Sequence, residues 1–414
     1  MQSYNIVVVG TGPSGIMAAI RAAQLTNAVG LFEKNASLAR KLGLTGKGRC
    51  NITNNCSLEE MLEKFGENGV FLRNSFSRFF VSDLVRFFED RGLKLKTERQ
   101  GRVFPATDSS KSVIDVLKNA LAETGVEVHL SLPVKSVKMN RNELRSIRFT
   151  DGKEVYARKI IIATGGASYP ETGSTGDGFR IAQDLGHRIE KIVPGLVPLE
   201  TEESFVKEIQ GLTLKNIKIV FHADSKKLES DIGELLFTHF GVSGPLVLDM
   251  SADVCKFLEK GKKIQMSIDL KPALSTEQID LKLQREFQLA GSVKLKNYLK
   301  EILPKRFVDI FLNASQIEGE KKCHQMTSQE RKKIREALKK FSLTIKKTRP
   351  LSEAMVTHGG VSLKEIDPRT MESKKVKGIY FCGEVLDLAA ASGGFNLQAA
   401  FSTGYVAGES AALS

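Results

Sequence analysis

Residues 4–34 read YNIVVVGTGPSGIMAAIRAAQLTNAVGLFEK. The run 6–9 is apolar, mostly β-branched and closed by a glycine, the pattern of a parallel strand buried on both faces. The turn Gly10-Thr11-Gly12-Pro13-Ser14-Gly15 is a complete GxGxxG. Gly10 allows the tight turn, Gly12 lets backbone approach a pyrophosphate, and Gly15 lets the next helix pack close to the strand. Pro13 suits a first helical position, where its missing N–H costs nothing. Residues 16–25 are Ala-rich and apolar, which predicts a buried helix. Its N-terminal N–H groups and positive dipole end face the phosphates, with Ser14 in the turn. Residues 28–32 form a second strand. Glu33 at its end is placed to accept hydrogen bonds from ribose hydroxyls, with Lys34 beside it. A lone GxGxxG is weak evidence. With strand, turn, helix, second strand and terminal acid in register, it predicts a dinucleotide-binding α/β domain.

The chain has 414 residues, enough for two or three domains. No apolar run approaches the ~20 residues of a membrane span, so no membrane association is expected. The N-terminus enters a core strand directly, without the pattern of a signal peptide. Cys50, Cys56, Cys255, Cys323 and Cys382 are scattered, with no CxxC. That fits reduced thiols in a cytoplasmic protein, and it argues against a dithiol redox centre or a zinc site; no metal is expected. A net charge of +13 and a pI near 9.4 point to an anionic partner or to a merely basic surface.

Residues 38–54, LARKLGLTGKGRCNITN, gather Gly43, Gly46 and Gly48 with Lys41, Lys47 and Arg49. Such a loop can bring backbone N–H groups and a guanidinium to a phosphate or a ring carbonyl. Cys50 is the one thiol with cationic neighbours, which would lower its pKa. A surface basic loop with a buried cysteine explains the same residues equally well.

TGKGRCNITN closely resembles the (S/T)GxGRCNxTN signature of a bacterial flavoprotein family. That family includes aminoacetone oxidase-like proteins and a reductase of oxo bile acids. The resemblance implies that this loop, with Gly48, Arg49, Cys50 and Asn51, lies close to an FAD flavin. It continues through 101–105 (GRVFP), 165–178, 237–245 (FTHFGVSGP), 357–361 and 383–398, nearly the whole length.

Residues 71–91 read as one helix with Ser82 as a candidate cap, stopped by Gly92, and 93–104 as a hairpin around Gln100-Gly101. A helix over 112–124 and strands over 126–130, 134–139 and 145–156 follow. By resemblance, the backbone of Val134 meets the adenine. Residues 159–166, KIIIATGG, are a buried strand ending in a sharp turn; in similar flavoproteins Ala163, Thr164 and Gly165 pass beside FAD.

Pro194 and Pro198 mark a linker. Beyond it, 212–222, 233–238 and 263–269 read as short antiparallel strands, while 237–245 is too glycine-rich for one. His239 sits there; a lone histidine is more often a structural hydrogen-bonder, but the resemblance makes it a catalytic candidate with Cys50. Helices are expected over 275–290, 295–303 and 327–341, the last with a Thr327/Glu330 capping box. Residues 282–347 hold 17 Lys and Arg against 7 acids, a net of +10. A solvated helical face is the simpler reading, and contact with RNA the functional one. No stacking platform of aromatics is visible.

Residues 377–383 form another buried strand. In the resembling families the Gly-acid pair after the last strand, here Gly383-Glu384, contacts the ribityl chain, and Asp387 follows it. Gly393 and Gly394 let backbone approach the ring. A helix starting near Phe395, Asn396 and Leu397 points its N-terminus at the pyrimidine edge, where reduced flavin carries negative charge. Arg49 and Asn396 are the expected flavin-polarising groups.

The expected architecture is a two-dinucleotide-fold, Rossmann-like α/β FAD domain, residues 1–193 and 347–414. An inserted β-barrel-like and helical lid spans 194–346. With a single GxGxxG, NAD(P)H would dock only transiently as donor. Three functions compete: an FAD oxidoreductase on a small molecule, a flavoenzyme reducing uridine in ribosomal or transfer RNA, and a flavin-binding protein without turnover. No DNA partner is expected.

Overall fold

The apolar run near the N-terminus forms the Ser3–Val9 strand, whose Ile6, Val7 and Val8 are fully buried. In the computed structural model, which describes residues 2–139 and 144–414, this strand is central to a seven-stranded sheet. Val29–Phe32 pairs with it on one side and Glu154–Ile162 on the other, both parallel. Glu127–His129 extends the parallel part beyond Val29–Phe32, and Ile379–Phe381 pairs parallel with Ile160–Ile162. Arg145–Phe149 and Val134–Met139 add an antiparallel flank. Strands from both ends of the chain therefore share one sheet, each an apolar run buried on both faces.

The Pro13–Ala23 helix packs against the last helix, Phe395–Leu413. The small residues of the last helix let it do so. A Cβ on Gly404 would lie 2.2 Å from the Ser14 carbonyl oxygen, and one on Gly408 2.2 Å from that of Ala18. The close approach is thus to the first helix.

Two compact units result: Met1–Gly195 with Leu351–Ser414, and Leu196–Pro350. The return to the first unit falls after residue 350, later than the expected 347, because Phe341–Thr348 is a strand of the second unit, paired with Leu199–Thr201 and Ile264–Asp269. Pro194 is not in a linker. It lies in the Ile189–Gly195 strand, opposite Thr357 of Val356–Val361, in a two-stranded sheet that tolerates a missing donor.

The second unit has its own antiparallel sheet. Its order is Lys226–Glu229, Thr213–Ala223, Gly233–Phe237, Gly241–Ser243, Leu199–Thr201, Phe341–Thr348 and Ile264–Asp269. Ile264–Asp269 also pairs with Thr213–Ala223, which closes the sheet into a barrel. Five helices accompany it: Pro245–Glu259, Thr276–Ala290, Leu295–Ile302, Lys305–Ser315 and Ser328–Lys339. The Thr327/Glu330 capping box is present.

Other expectations needed correction. The 71–91 helix is two, Gly69–Arg78 and Val81–Glu89. Phe79 and Phe80 are extended between them, Phe79 stacking on Tyr405 at 4.7 Å and Phe80 packing on Phe76. The second helix is capped at Phe80, whose N–H donates to Asp83 Oδ2 at 2.9 Å, and not at Ser82. Glycine-rich 237–245 does contain a strand, Gly241–Ser243. A Cβ on Gly241 would lie 2.2 Å from the Leu199 carbonyl oxygen, so glycine is what admits the neighbouring strand. The helices that begin at Pro245 and just after Pro304 went unread, although proline at a helix start is a positive signal. Phe341 starts a strand and does not end a helix.

Candidate active site

The glycine turn does three separate jobs. A Cβ on Gly15 would lie 1.9 Å from the Gly10 carbonyl oxygen, and one on Gly10 2.5 Å from that of Ala163. Those two glycines make the turn and its packing. A Cβ on Gly12 meets no protein atom within 4 Å. Gly12 is the N-cap of the Pro13–Ala23 helix, and no side chain caps that helix. Uncapped N–H groups facing open space suit an anionic phosphate.

Glu33 follows the second strand and is almost fully buried. Its Oε2 accepts from Thr11 N at 3.0 Å and Thr11 Oγ1 at 2.6 Å. Its Oε1 accepts from Asn35 N at 2.8 Å and Asn35 Nδ2 at 2.7 Å. All four lone-pair directions are taken, so a ribose hydroxyl would have to displace the Thr11 hydroxyl or the Asn35 amide. Neighbouring Lys34 is committed to Asp177 at 2.6 Å and Thr175 Oγ1 at 2.5 Å.

A second cluster joins segments from across the chain. Lys41 Nζ lies 2.8 Å from Glu384 Oε2 and donates to Ser168 Oγ at 2.7 Å. Glu384 Oε1 accepts from Thr357 N at 2.8 Å, and Thr357 Oγ1 accepts from Ala167 N at 2.8 Å. A Cβ on Gly166 would lie 2.4 Å from Thr357 Oγ1. The turn after Ala163-Thr164-Gly165, the strand at Thr357 and the Gly383-Glu384 corner are thus held as one piece. Ser168 and Thr357 were missed as single residues, although both lie in stretches that carry the resemblance. The neighbouring His358 packs elsewhere, against Gly195.

The 45–54 loop carries its cations differently from expectation. Arg49 donates to Asp108 Oδ1 at 2.8 Å, pairs with Glu98, and lies over the Phe104 ring at 4.1 Å. Its hydrogen bond holds the Glu98 carboxyl below its usual range; Asp108 is held low by Lys96 first and Arg49 second. The guanidinium therefore ties the loop to Glu98, within the hairpin of residues 95–105, and to Asp108 just beyond it. Cys50 is fully buried with φ 63°, and burial pushes its thiol up to about 12. The expected lowering of its pKa is overturned, because its cationic neighbour is spent on carboxylates and the sulfur has lost water.

The same loop meets the C-terminal segment. Asn54 Nδ2 donates to the Gly393 carbonyl at 3.0 Å, Thr53 Oγ1 to Gln398 Oε1 at 2.6 Å, and a Cβ on Gly394 would lie 2.4 Å from the Thr53 carbonyl oxygen. Gly394, with φ 98°, is the N-cap of the Phe395–Leu413 helix, again uncapped by any side chain. The Asn396 amide is engaged within its own segment. Its Oδ1 accepts from Ala390 N at 2.8 Å and its Nδ2 donates to Ala390 O at 2.9 Å, closing the 390–396 loop. Phe395 is buried and Leu397 half-buried. Asp387 donates its N–H to the Val361 carbonyl, and its own carbonyl accepts from Asn68 Nδ2. At the far edge of the sheet, the Val134 carbonyl accepts from Arg180 Nη2 at 3.3 Å.

Two buried polar atoms here find no hydrogen-bond partner among the described residues: Asn51 Oδ1 and Thr164 Oγ1. Buried groups without a partner are rare and expensive. Together with the Gly12 turn and two uncapped helix starts, they fit a cofactor with a pyrophosphate at one end and a hydrogen-bonding ring at the other. His239 belongs to the second unit. It is exposed on the turn between Gly233–Phe237 and Gly241–Ser243, edge-on to Phe240 at 4.9 Å. Among the described residues no group of three or more His, Cys, Asp or Glu could hold a metal ion, and no helix is long and apolar enough to cross a membrane.

The family model described as HI0933-like protein Rossmann domain matches residues 4–410. The chain belongs to that family. It is, as a member, an FAD-dependent oxidoreductase. The 3-dehydro-bile acid delta(4,6)-reductase of Clostridium scindens is 30% identical over 410 residues, covering 99% of each chain. The ribosomal RNA dihydrouridine synthase of Escherichia coli is 29% identical over 405 residues, covering 98% of this member and 97% of that protein. Among solved structures, an open flavocytochrome c3 fumarate reductase superposes with a TM-score of 0.52 at 16% identity, over 100% of this chain and 78% of the other. The Escherichia coli quinol fumarate reductase gives 0.51 at 17%, over 100% and 71%. At such identity these two show a shared fold.

Proposed function

We propose that this family member reduces a carbon–carbon double bond conjugated to a carbonyl, and that its substrate is uridine in folded RNA. The two relatives described above support the reaction. A 3-oxo bile acid with ring double bonds and the C5=C6 bond of uracil are both conjugated to a carbonyl. The net +10 across residues 282–347 supports RNA over a small neutral ring.

Bound FAD supplies hydride chemistry at its ring, with NAD(P)H docking transiently as the donor. The Pro13–Ala23 helix start binds the pyrophosphate, and Glu33 takes a ribose hydroxyl in exchange for one of its present donors. Asn51 Oδ1 and Thr164 Oγ1 gain partners on the cofactor. The N-terminus of Phe395–Leu413 stabilises negative charge on the ring. His239 would supply the proton that C5 of uracil needs when C6 takes a hydride, so that two hydrogens are added across the bond. Five thiols without disulfides suit a cytoplasmic protein.

The test is deletion of the gene followed by a survey of ribosomal and transfer RNA for reduced uridines. Loss of a dihydrouridine, restored by the wild type and not by Gly12→Val, supports the reading. An unchanged profile together with negligible RNA binding would overturn it and leave a small conjugated ketone as the substrate class.

A further inference from the structure

The 17 cations between residues 282 and 347 are not equivalent. The densest run lies on the Ser328–Lys339 helix, and most of it is consumed internally. Arg331 and Arg335 both pair with Asp280, Lys332 with Glu336, and Lys339 with Asp269. The corner between Leu295–Ile302 and Lys305–Ser315 is different. Lys305 and Arg306 are exposed, and neither has an acidic partner among the described residues. They occupy the first turn of their helix, which contains no acid and no side-chain cap. Cations there oppose the helix dipole, an arrangement that local stability does not favour. Rule-breaking charge of this kind is expected where function needs it.

Other segments bring more positive charge to the same corner. Arg306 Nη2 donates to the carbonyls of Glu208 and Gln210 at 3.0 and 3.2 Å, which seats the Ser204–Lys207 turn, with exposed Lys207, beside it. Lys271 Nζ donates to the Ile302 carbonyl at 2.8 Å. Lys300, half-buried in the last turn before the corner, donates to the neutral Asn297 side chain at 3.1 Å and has no ion pair with an acid within 4 Å among the described residues. Glu208 and Glu301 lie in the same segments, leaving cations in excess.

We propose that the corner carrying Lys207, Lys300, Lys305 and Arg306 is the surface that holds the phosphate backbone of the RNA substrate, and that the Ser328–Lys339 helix is not. The proposal rests on the RNA reading above. Phosphate contacts give affinity and register without reading sequence, so what matters at this corner is unpaired positive charge.

The experiment titrates the FAD-loaded, full-length protein into a transcribed ribosomal RNA stem–loop at several salt concentrations. One variant combines Lys207→Ala, Lys300→Ala and Lys305→Ala; the other combines Lys332→Ala, Arg335→Ala and Lys339→Ala, cations of the helix that are already paired. Flavin absorbance and thermal melting confirm that each is folded, and Lys305→Glu alone serves if the first triple variant is not. The corner variant is expected to lose roughly tenfold in affinity and about one unit of salt slope per lost contact, the helix variant little of either. Equal losses in both, or a loss confined to the helix variant, would overturn the proposal while leaving RNA as substrate. Salt-independent, negligible binding by the wild type would instead overturn the RNA reading itself, and the corner with it.

Discussion

Lys41 and Glu384, separated by 343 positions in the chain, form an ion pair at 2.8 Å. Each side chain is only about a fifth exposed, 22% and 23%. The pair, with Ser168 and Thr357, clamps three segments that border the cofactor site. Glu384→Ala would strand Lys41 and the Thr357 N–H together. We expect the single variants to weaken FAD binding and lower stability, and the Lys41→Ala/Glu384→Ala double variant to lose less than their sum. A coupling of roughly 0.5–3 kcal/mol should appear in urea unfolding of the apoprotein. Additive losses would mean that the two residues act independently.

Gly12 and Gly15 should separate cofactor binding from folding. Gly12 has φ −68° and open space where a side chain would go, so Gly12→Val should fold, melt like the wild-type apoprotein and carry no flavin. Gly15→Ala drives a Cβ into the Gly10 carbonyl and should cost roughly 2–4 kcal/mol of stability. Absorbance and calorimetry on the purified variants check both. A yellow Gly12→Val protein would place the pyrophosphate elsewhere.

How much of this was legible in the sequence depends on range. The glycine turn, its flanking strands and the Thr327/Glu330 cap are local patterns, and periodicity and turn chemistry reveal them. The partners of charged groups are not local. Nothing near Arg49 announces Glu98 and Asp108, and nothing near Asn396 says that its amide closes onto Ala390. Residue type showed that these side chains were polar; only the fold shows that they are already occupied. Cys50 is the same failure in reverse, since its cationic sequence neighbours hide complete burial. The start of the Pro245–Glu259 helix is a local signal as well, since proline favours a first helical turn.

Burial of Cys50 and Cys382 gives a pH dependence of known sign. Both thiols are pushed up to about 12 from the usual value of 9.0. A raised folded-state pKa gives stability that is complete below the unfolded value and lost as pH rises toward the folded one. Stability should therefore fall between about pH 9 and pH 12, by up to ~1.4 kcal/mol per pH unit for each thiol. Urea melts across that range should show a shallower decline for Cys50→Ala than for the wild type. The folded protein should also resist alkylation at Cys50 at neutral pH. Rapid labelling there would contradict the burial.

His239 should be separable by half-reaction. Exposed on its turn in the second unit, it has no part in folding the first unit, so His239→Ala should bind FAD normally. Rapid mixing should show reduction by NAD(P)H unchanged and reoxidation by substrate slowed roughly 10²–10⁴-fold, the usual contribution of a positioned proton donor. Unchanged reoxidation would place the donor elsewhere.

The most direct test is anaerobic. Protein reduced with a limiting amount of NAD(P)H is mixed with unmodified ribosomal RNA, and flavin absorbance is followed alongside mass analysis of the digested RNA. The expected result is recovery of oxidised flavin in step with uridines that each gain two hydrogens. Flavin that stays reduced with RNA, yet is reoxidised at once by a 3-oxo steroid with a conjugated double bond, would contradict uridine as the substrate.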